Sequence, residues 1–269
     1  MALDRFKTLI ETHSENVGFS LFLSHHLGQP TQDLTRRMAR RYCLNHASVS
    51  STATPRELLD LVLGLYVARA LKIKHVEDEV SRTGMASSFS IEVVTRQAEQ
   101  ALSLIDWPAV FHFDKITDEH LCNAIVWSHI FRRARIKSLQ RHRWWVEVTL
   151  QVRRYRLYKT KAQDWKWQSH LVTHIIFTRS DWGRAQLEES HTAEFNFIID
   201  NMPRAIAEEN VHLVGEFLLC LRILDRSLDD ARRATVKLAK KFLASVKLDA
   251  DDNRYRAWCT LMGGACRLS

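Results

Sequence analysis

Apolar residues recur every three to four positions along most of this chain, and the recurrence breaks at short polar or Gly/Pro-containing stretches. Leu3–His13 and Gly18–Leu27 predict two helices, broken near Gly28-Gln29-Pro30, and Asp33–Asn45 predicts a third. Ala47–Thr54 is Ser/Thr-rich and reads as a loop. Thr54-Pro55-Arg56-Glu57 then supplies an N-cap, a proline at the first helical position and an acid at the third, so a helix is predicted from there to about His75. Further helices are predicted over Ser90–Ile105, from Thr117 to about Lys137, and over Gln163–Thr178 with a stop at Gly183. Ala193–Met202, Val211–Asp225, Asp230–Val246 and Asp251–Leu261 complete the series. Arg82–Ser88 and Val110–Lys115 read as loops. Trp144–Tyr158 is two-sided: Val146, Val148, Leu150 and Val152 alternate with polar residues at strand period, while the helical context favours helix.

Two of these segments are apolar around most of their circumference, Asp60–Ala68 and His212–Cys220, and they echo each other faintly. A helix of that kind must be covered on all sides. Alternation of such helices with amphipathic ones predicts an all-α fold of stacked helical hairpins, an α/α toroid or a short solenoid, in a single helical domain over 1–269. Composition agrees, because 8 Gly and 4 Pro in 269 residues are too few for the many turns of a sandwich or barrel.

No stretch reaches the roughly 20 uninterrupted apolar residues of a spanning helix, and Met1–Lys7 is amphipathic without a signal-peptide core. The five cysteines (43, 122, 220, 259, 266) are scattered, odd in number and form no CxxC pair. They read as reduced thiols, and the chain as cytoplasmic and without a membrane partner. Arg267 is the wrong residue type for a prenylation box at Cys266-Arg-Leu-Ser.

Charge is concentrated rather than spread. Residues 131–166 carry 12 Lys+Arg against two acids, Glu147 and Asp164, whereas the rest of the chain holds more acids than bases. Arg132, Arg133, Arg141, Arg143, Arg153 and Arg154 lie here among Trp144, Trp145, Tyr155 and Tyr158. Such a face suits an acidic carrier protein or peptide, a phosphorylated small molecule or, less favoured without a recognised motif, nucleic acid. A plain solvated surface is the simplest alternative.

Candidate chemistry lies further on. His170-Leu-Val-Thr-His174 sets two imidazoles on one helical face, and His212-Leu-Val-Gly-Glu216 repeats the spacing with an imidazole and a carboxylate. Glu216 sits among Leu213, Val214, Phe217, Leu218, Leu219 and Leu221, where a charge must be paired or hydrogen-bonded. A desolvated carboxylate beside histidine is raw material for general acid–base chemistry, though a structural pair explains it as well. HxxxH with HxxxE supplies enough ligands for zinc, but no HExxH, ExxH or CxxC supports a metal, so the expected centre holds neither metal nor other cofactor. GxGxxG, GxxxxGK[ST] and GxSxG are absent, which disfavours familiar nucleotide and serine-hydrolase chemistry.

Thr173-His174-Ile-Ile-Phe177-Thr-Arg-Ser180-Asp181-Trp182-Gly183 resembles the Thr-His…aromatic…Asp-aromatic-Gly signature of an uncharacterised bacterial family of helical, toroid-like proteins associated with natural-product gene clusters. Leu213-Val-Gly215-Glu216-Phe-Leu-Leu-Cys220-Leu resembles its second hallmark. His212 stands where that family carries an acid, and Trp182 where it carries Phe or Tyr. The resemblance implies that His174, Asp181 and Glu216 belong together as catalytic residues. His170, His212 and Trp182 would line the substrate pocket of a cofactor-independent enzyme of bacterial specialised metabolism. The competing expectation is an adaptor whose basic face holds an acidic partner.

Overall fold

The helices of this chain bury the faces their sequence made apolar, and several start where a side chain satisfies their first N–H groups. The computed structural model describes residues 2–12, 16–77, 88–106, 118–137, 165–187, 191–225, 228–247 and 254–264. Among them are eleven α-helices, which makes the fold all-α as expected: α1 (Ala2–Thr12), α2 (Val17–Leu27), α3 (Gln32–Asn45), α4 (Pro55–Ala70), α5 (Ile91–Ser103), α6 (Asp118–Arg133), α7 (Trp165–Arg179), α8 (Thr192–Ala207), α9 (Val211–Leu224), α10 (Asp230–Ser245) and α11 (Arg254–Gly264). Trp144–Tyr158, the loop at Val110–Lys115, and Arg141, Arg143, Arg153 and Arg154 lie outside the described residues.

The chain divides into two compact units, each discontinuous in sequence: residues 7–115 with 127–147, and residues 1–6 with 116–126 and 148–269. In the first, α4 is the central element, packed by α2, α3 and α5. Its capping box forms as the sequence predicts, with the Glu57 N–H donating to Thr54 Oγ1 at 3.3 Å and the Thr54 N–H donating to Glu57 Oε2 at 2.7 Å. Eight consecutive residues, Leu61–Ala68, are buried. Gly64 lets the Tyr42 ring lie against the helix, since a Cβ there would stand 2.0 Å from the ring. Asp60, on the same helix, accepts from the Gly18 and Phe19 N–H groups at 2.9 and 3.0 Å and so caps α2, whose own N-cap Asn16 makes no side-chain capping bond.

α4 ends at Ala70 rather than near His75, because Lys72 turns left-handed (φ 60°) and the Ile73 N–H closes back on the Ala68 carbonyl. His75–Glu77 (β1) instead pairs antiparallel with Ser88–Ser90 (β2), in the register Val76 opposite Phe89. A strand pair was not foreseen: three residues are too few to show a period, and pairing rather than local pattern makes it. α5 then starts at Ile91.

In the second unit α9 is the central element, packed by α7, α8, α10 and α11. It is capped by the Asn210 side chain, which accepts from the Leu213 N–H at 3.1 Å, and Leu213–Leu221 are buried without a break. Each unit is thus organised around one helix apolar on most of its circumference, which gives the faint sequence echo a structural meaning. α8 continues past the predicted stop at Met202, carrying Pro203 inside the helix. Met202 and Ala205 are both fully buried, so the apolar face continues and packing outweighs the lost hydrogen bond.

Candidate functional site

α7 and α9 lie side by side, and the two i, i+4 pairs read from the sequence meet between them. Glu216, fully buried on α9, is the focus. His170 Nδ1 stands 3.1 Å from Oε2, His212 Nε2 3.3 Å and His174 Nε2 3.7 Å from Oε1. Thr173 donates its hydroxyl to Oε2 at 2.8 Å, and Tyr255 on α11 donates its hydroxyl to Oε1. Five polar groups therefore crowd a carboxylate that offers about four lone-pair sites. Three of them, His170, Thr173 and Tyr255, meet hydrogen-bond geometry.

Close approach of α11 makes this possible. A Cβ on Gly215 would stand 2.4 Å from the Cys259 carbonyl oxygen, and one on Gly263 would stand 2.9 Å from Gly215 Cα. Helix α9 thus presents bare backbone to α11 one residue before Glu216, and Tyr255 comes within reach of the carboxylate. The Tyr255 ring also meets the His212 ring edge to face at 4.5 Å, and the His170 and His212 rings lie 4.7 Å apart.

Exposure is graded across the cluster: the side chains of His170, His174 and His212 are 15%, 20% and 39% accessible, against 0% for Glu216. Solvent or a ligand therefore meets the imidazoles first. Burial pushes the Glu216 carboxyl up, but the His212 charge and the close ring nitrogens of His170, His174 and His212 outweigh it and hold the group well below the usual carboxylate range. Tyr255 and Cys259 are pushed up, by burial first and by the Glu216 charge second. Both stay protonated, and the cluster keeps a single anion.

Its donor set fits a metal ion. One ligand atom from each of His170, His174 and Glu216 lies within 4.8 Å of the other two. In a tetrahedral site with bonds of about 2.0–2.1 Å, neighbouring ligand atoms stand about 3.3 Å apart. His170 Nδ1 stands 3.1 Å from Oε2 and His174 Nε2 3.7 Å from Oε1, separations close to that edge but made to the two different carboxylate oxygens.

No known protein family, characterised protein or solved structure matches this chain. Function must therefore be argued from the arrangement itself.

Of the residues singled out in the sequence, His170, His174, His212 and Glu216 come together. Asp181 lies beyond the end of α7, which stops at Arg179, and is buried. Asp181, Trp182 and Gly183 all have positive φ (49°, 55° and 83°), and the Gly183 N–H is held by Ser180 Oγ at 2.9 Å. The Asp-Trp-Gly run thus forms the left-handed turn that stops the helix. Trp182 is buried and stacks on Phe177 at 6.2 Å, with Phe177 lying between it and His174. Thr173 and Tyr255 are the members that sequence reasoning missed. Thr173 lay inside the quoted Thr-His pair, whereas nothing in the sequence around Tyr255 marks it. Arg132 and Arg133, at the end of α6, are exposed.

Proposed function

We propose that this chain is an enzyme of bacterial specialised metabolism whose reaction centre is a divalent first-row metal ion held by His170, His174 and Glu216. The observation that carries the reading is the convergence of three imidazoles on one fully buried carboxylate, two of them, His174 and His212, near it without hydrogen-bond geometry. A purely structural ion pair needs one imidazole. Three are in excess, and an ion uses the imidazole lone pairs that a carboxylate has no sites for. Two nitrogens and one oxygen, with positions left open, suit zinc or ferrous iron. This keeps the His/carboxylate centre expected from the sequence and departs from the metal-free expectation. The natural-product association rests on the resemblance around Thr173–Gly183.

The roles follow from placement. His170 and His174 donate from one face of α7, and Glu216 supplies the charge that offsets the ion. Thr173 and Tyr255 fix the carboxylate by hydrogen bonds, the second layer of contacts that orients metal ligands. His212, the most exposed of the imidazoles, is left to hydrogen-bond a water or substrate beside the ion. The chemistry that a zinc-class ion supplies in such a site is activation of water or polarisation of a carbonyl.

Metal content of the full chain after dialysis against zinc tests the reading, with cobalt substitution to report geometry from its visible bands. One ion per chain is expected, with affinity lower by at least about tenfold in His170→Ala and in Glu216→Gln. His212→Ala should keep the ion. Substoichiometric uptake by a folded chain, or equal affinity in His170→Ala and Glu216→Gln, refutes it.

A further inference from the structure

In the other unit, the C-terminal ends of α4 and α6 open onto one cavity of about 570 Å³. Tyr66, Ile73 and Ile91 give it an apolar wall, and six cations line it: Arg69, Lys72, Lys74, Arg132, Arg133 and Arg135. Glu92 is the one carboxylate among the described lining residues, and Arg69 pairs with it at 3.2 Å. We infer that this cavity binds a small molecule bearing phosphate or pyrophosphate.

Helix ends carrying cations need no ligand to explain them, since a helix C-terminus holds about half a negative charge. Arg69, Lys72, Lys74 and Arg135 alone, set against two such ends and the Glu92 carboxylate, leave about two positive charges in excess among the described lining residues. Arg69 adds a fixed element. Its side chain is 13% accessible, and it donates to the Ala134 carbonyl at 3.0 Å, to Thr95 Oγ1 at 3.0 Å and to Glu92 at 3.2 Å. A guanidinium has five N–H groups, so two remain beyond these bonds on a side chain that is already held in place. Such pre-organisation suits the oxygens of a phosphate.

Backbone conformation points the same way. Lys72 and Arg135 have φ of 60° and 61°, and both close the helix ends by bonds back to the preceding turn. Glycine is the residue that takes this conformation without strain. The chain instead places a strained cation at both ends, on the rim of the same cavity.

The test is calorimetric titration of the full chain with inorganic pyrophosphate at low ionic strength, with citrate and a poly-glutamate peptide as controls. A saturable 1:1 complex with pyrophosphate is expected, weakened by added salt. Lys72→Gly/Arg135→Gly should fold, because glycine relieves both left-handed residues, and should bind at least about tenfold more weakly. Lack of saturable binding by the folded chain overturns the inference. So does equal affinity in the double variant, equal affinity for citrate, or preference for the peptide, which would mark a protein-docking face. Zinc uptake in the other unit is read separately and does not bear on these outcomes.

Discussion

Substituting Gly215 by Ala adds one methyl group to the close contact between α9 and α11 in the unit that carries Glu216. A Cβ there would meet the Cys259 carbonyl oxygen at 2.4 Å, its carbon at 2.7 Å and Cys259 Cβ at 2.8 Å. These are backbone and Cβ atoms, so no rotamer change relieves them, and α11 must move away by roughly 1 Å. Overpacking of this kind costs about 1–3 kcal/mol, and the rigid neighbours place it at the upper end. Alanine recovers about 1 kcal/mol through its better helix propensity. The net loss is roughly 2 kcal/mol, or about 4–8 °C in Tm for a chain of this size. Displacement of α11 also draws Tyr255 from Glu216, so zinc affinity should fall although no ligand has changed. Gly264, on the same helix with nothing within 4 Å of a Cβ, is the matched control: its alanine variant should be as stable as the parent or more so. Thermal melts and zinc titrations of both variants check this. A Gly215→Ala chain that melts within about 1 °C of the parent and binds zinc equally would refute the argument that this glycine brings α11 to the site.

Two further outcomes follow from a half-buried cap and from buried thiols. Asp60→Ala removes the acceptor for the Gly18 and Phe19 N–H groups and should cost about 0.5–2 kcal/mol in urea unfolding; Asp60→Asn, which keeps one acceptor, should lose less, and an unchanged midpoint for Asp60→Ala would count against the cap. Burial pushes the Cys43 thiol up to about 12 and the Cys122 and Cys259 thiols well above the usual range, so iodoacetamide at pH 8 should leave all three unmodified in the native chain and label them in urea; native labelling of Cys43 at the unfolded rate would show that it is not enclosed.

Much of the fold was legible because helix signals are local. The capping box at Thr54 and the apolar circumference of α4 and α9 depend on residues within a few positions of each other, and they appear in the structure where the sequence placed them. The discrepancies lie where non-local terms win. The sequence predicts a helix only as far as Met202, yet buried Met202 and Ala205 carry α8 on through Pro203. Lys72 carries no glycine-like signal, yet it turns left-handed and ends α4 at Ala70. That turn frees His75–Glu77 to pair with Ser88–Ser90.

The site shows the same division more sharply. Spacing within one helix showed that His170 and His174 share a face and that His212 and Glu216 do too, but it carried no information on whether the two faces meet. Whether they meet is decided by packing of α7 on α9, and the position of Tyr255 by the glycine contact between α9 and α11. Helical spacing carries no information on Asp181, because α7 ends at Arg179 and Asp181 lies beyond it. The Asp-Trp-Gly run that made Asp181 look chemical is accounted for by geometry, as three successive left-handed residues that turn the chain. Helix geometry gives no such account of Glu216, which is fully buried within α9. Its neighbours Leu218, Leu219 and Leu221 are buried apolar residues, and replacing buried ion pairs by apolar residues is often neutral or stabilising. That a carboxylate stands there, ringed by imidazoles drawn from two helices, is therefore poorly explained by stability, and this mismatch is why the proposed function is built on Glu216.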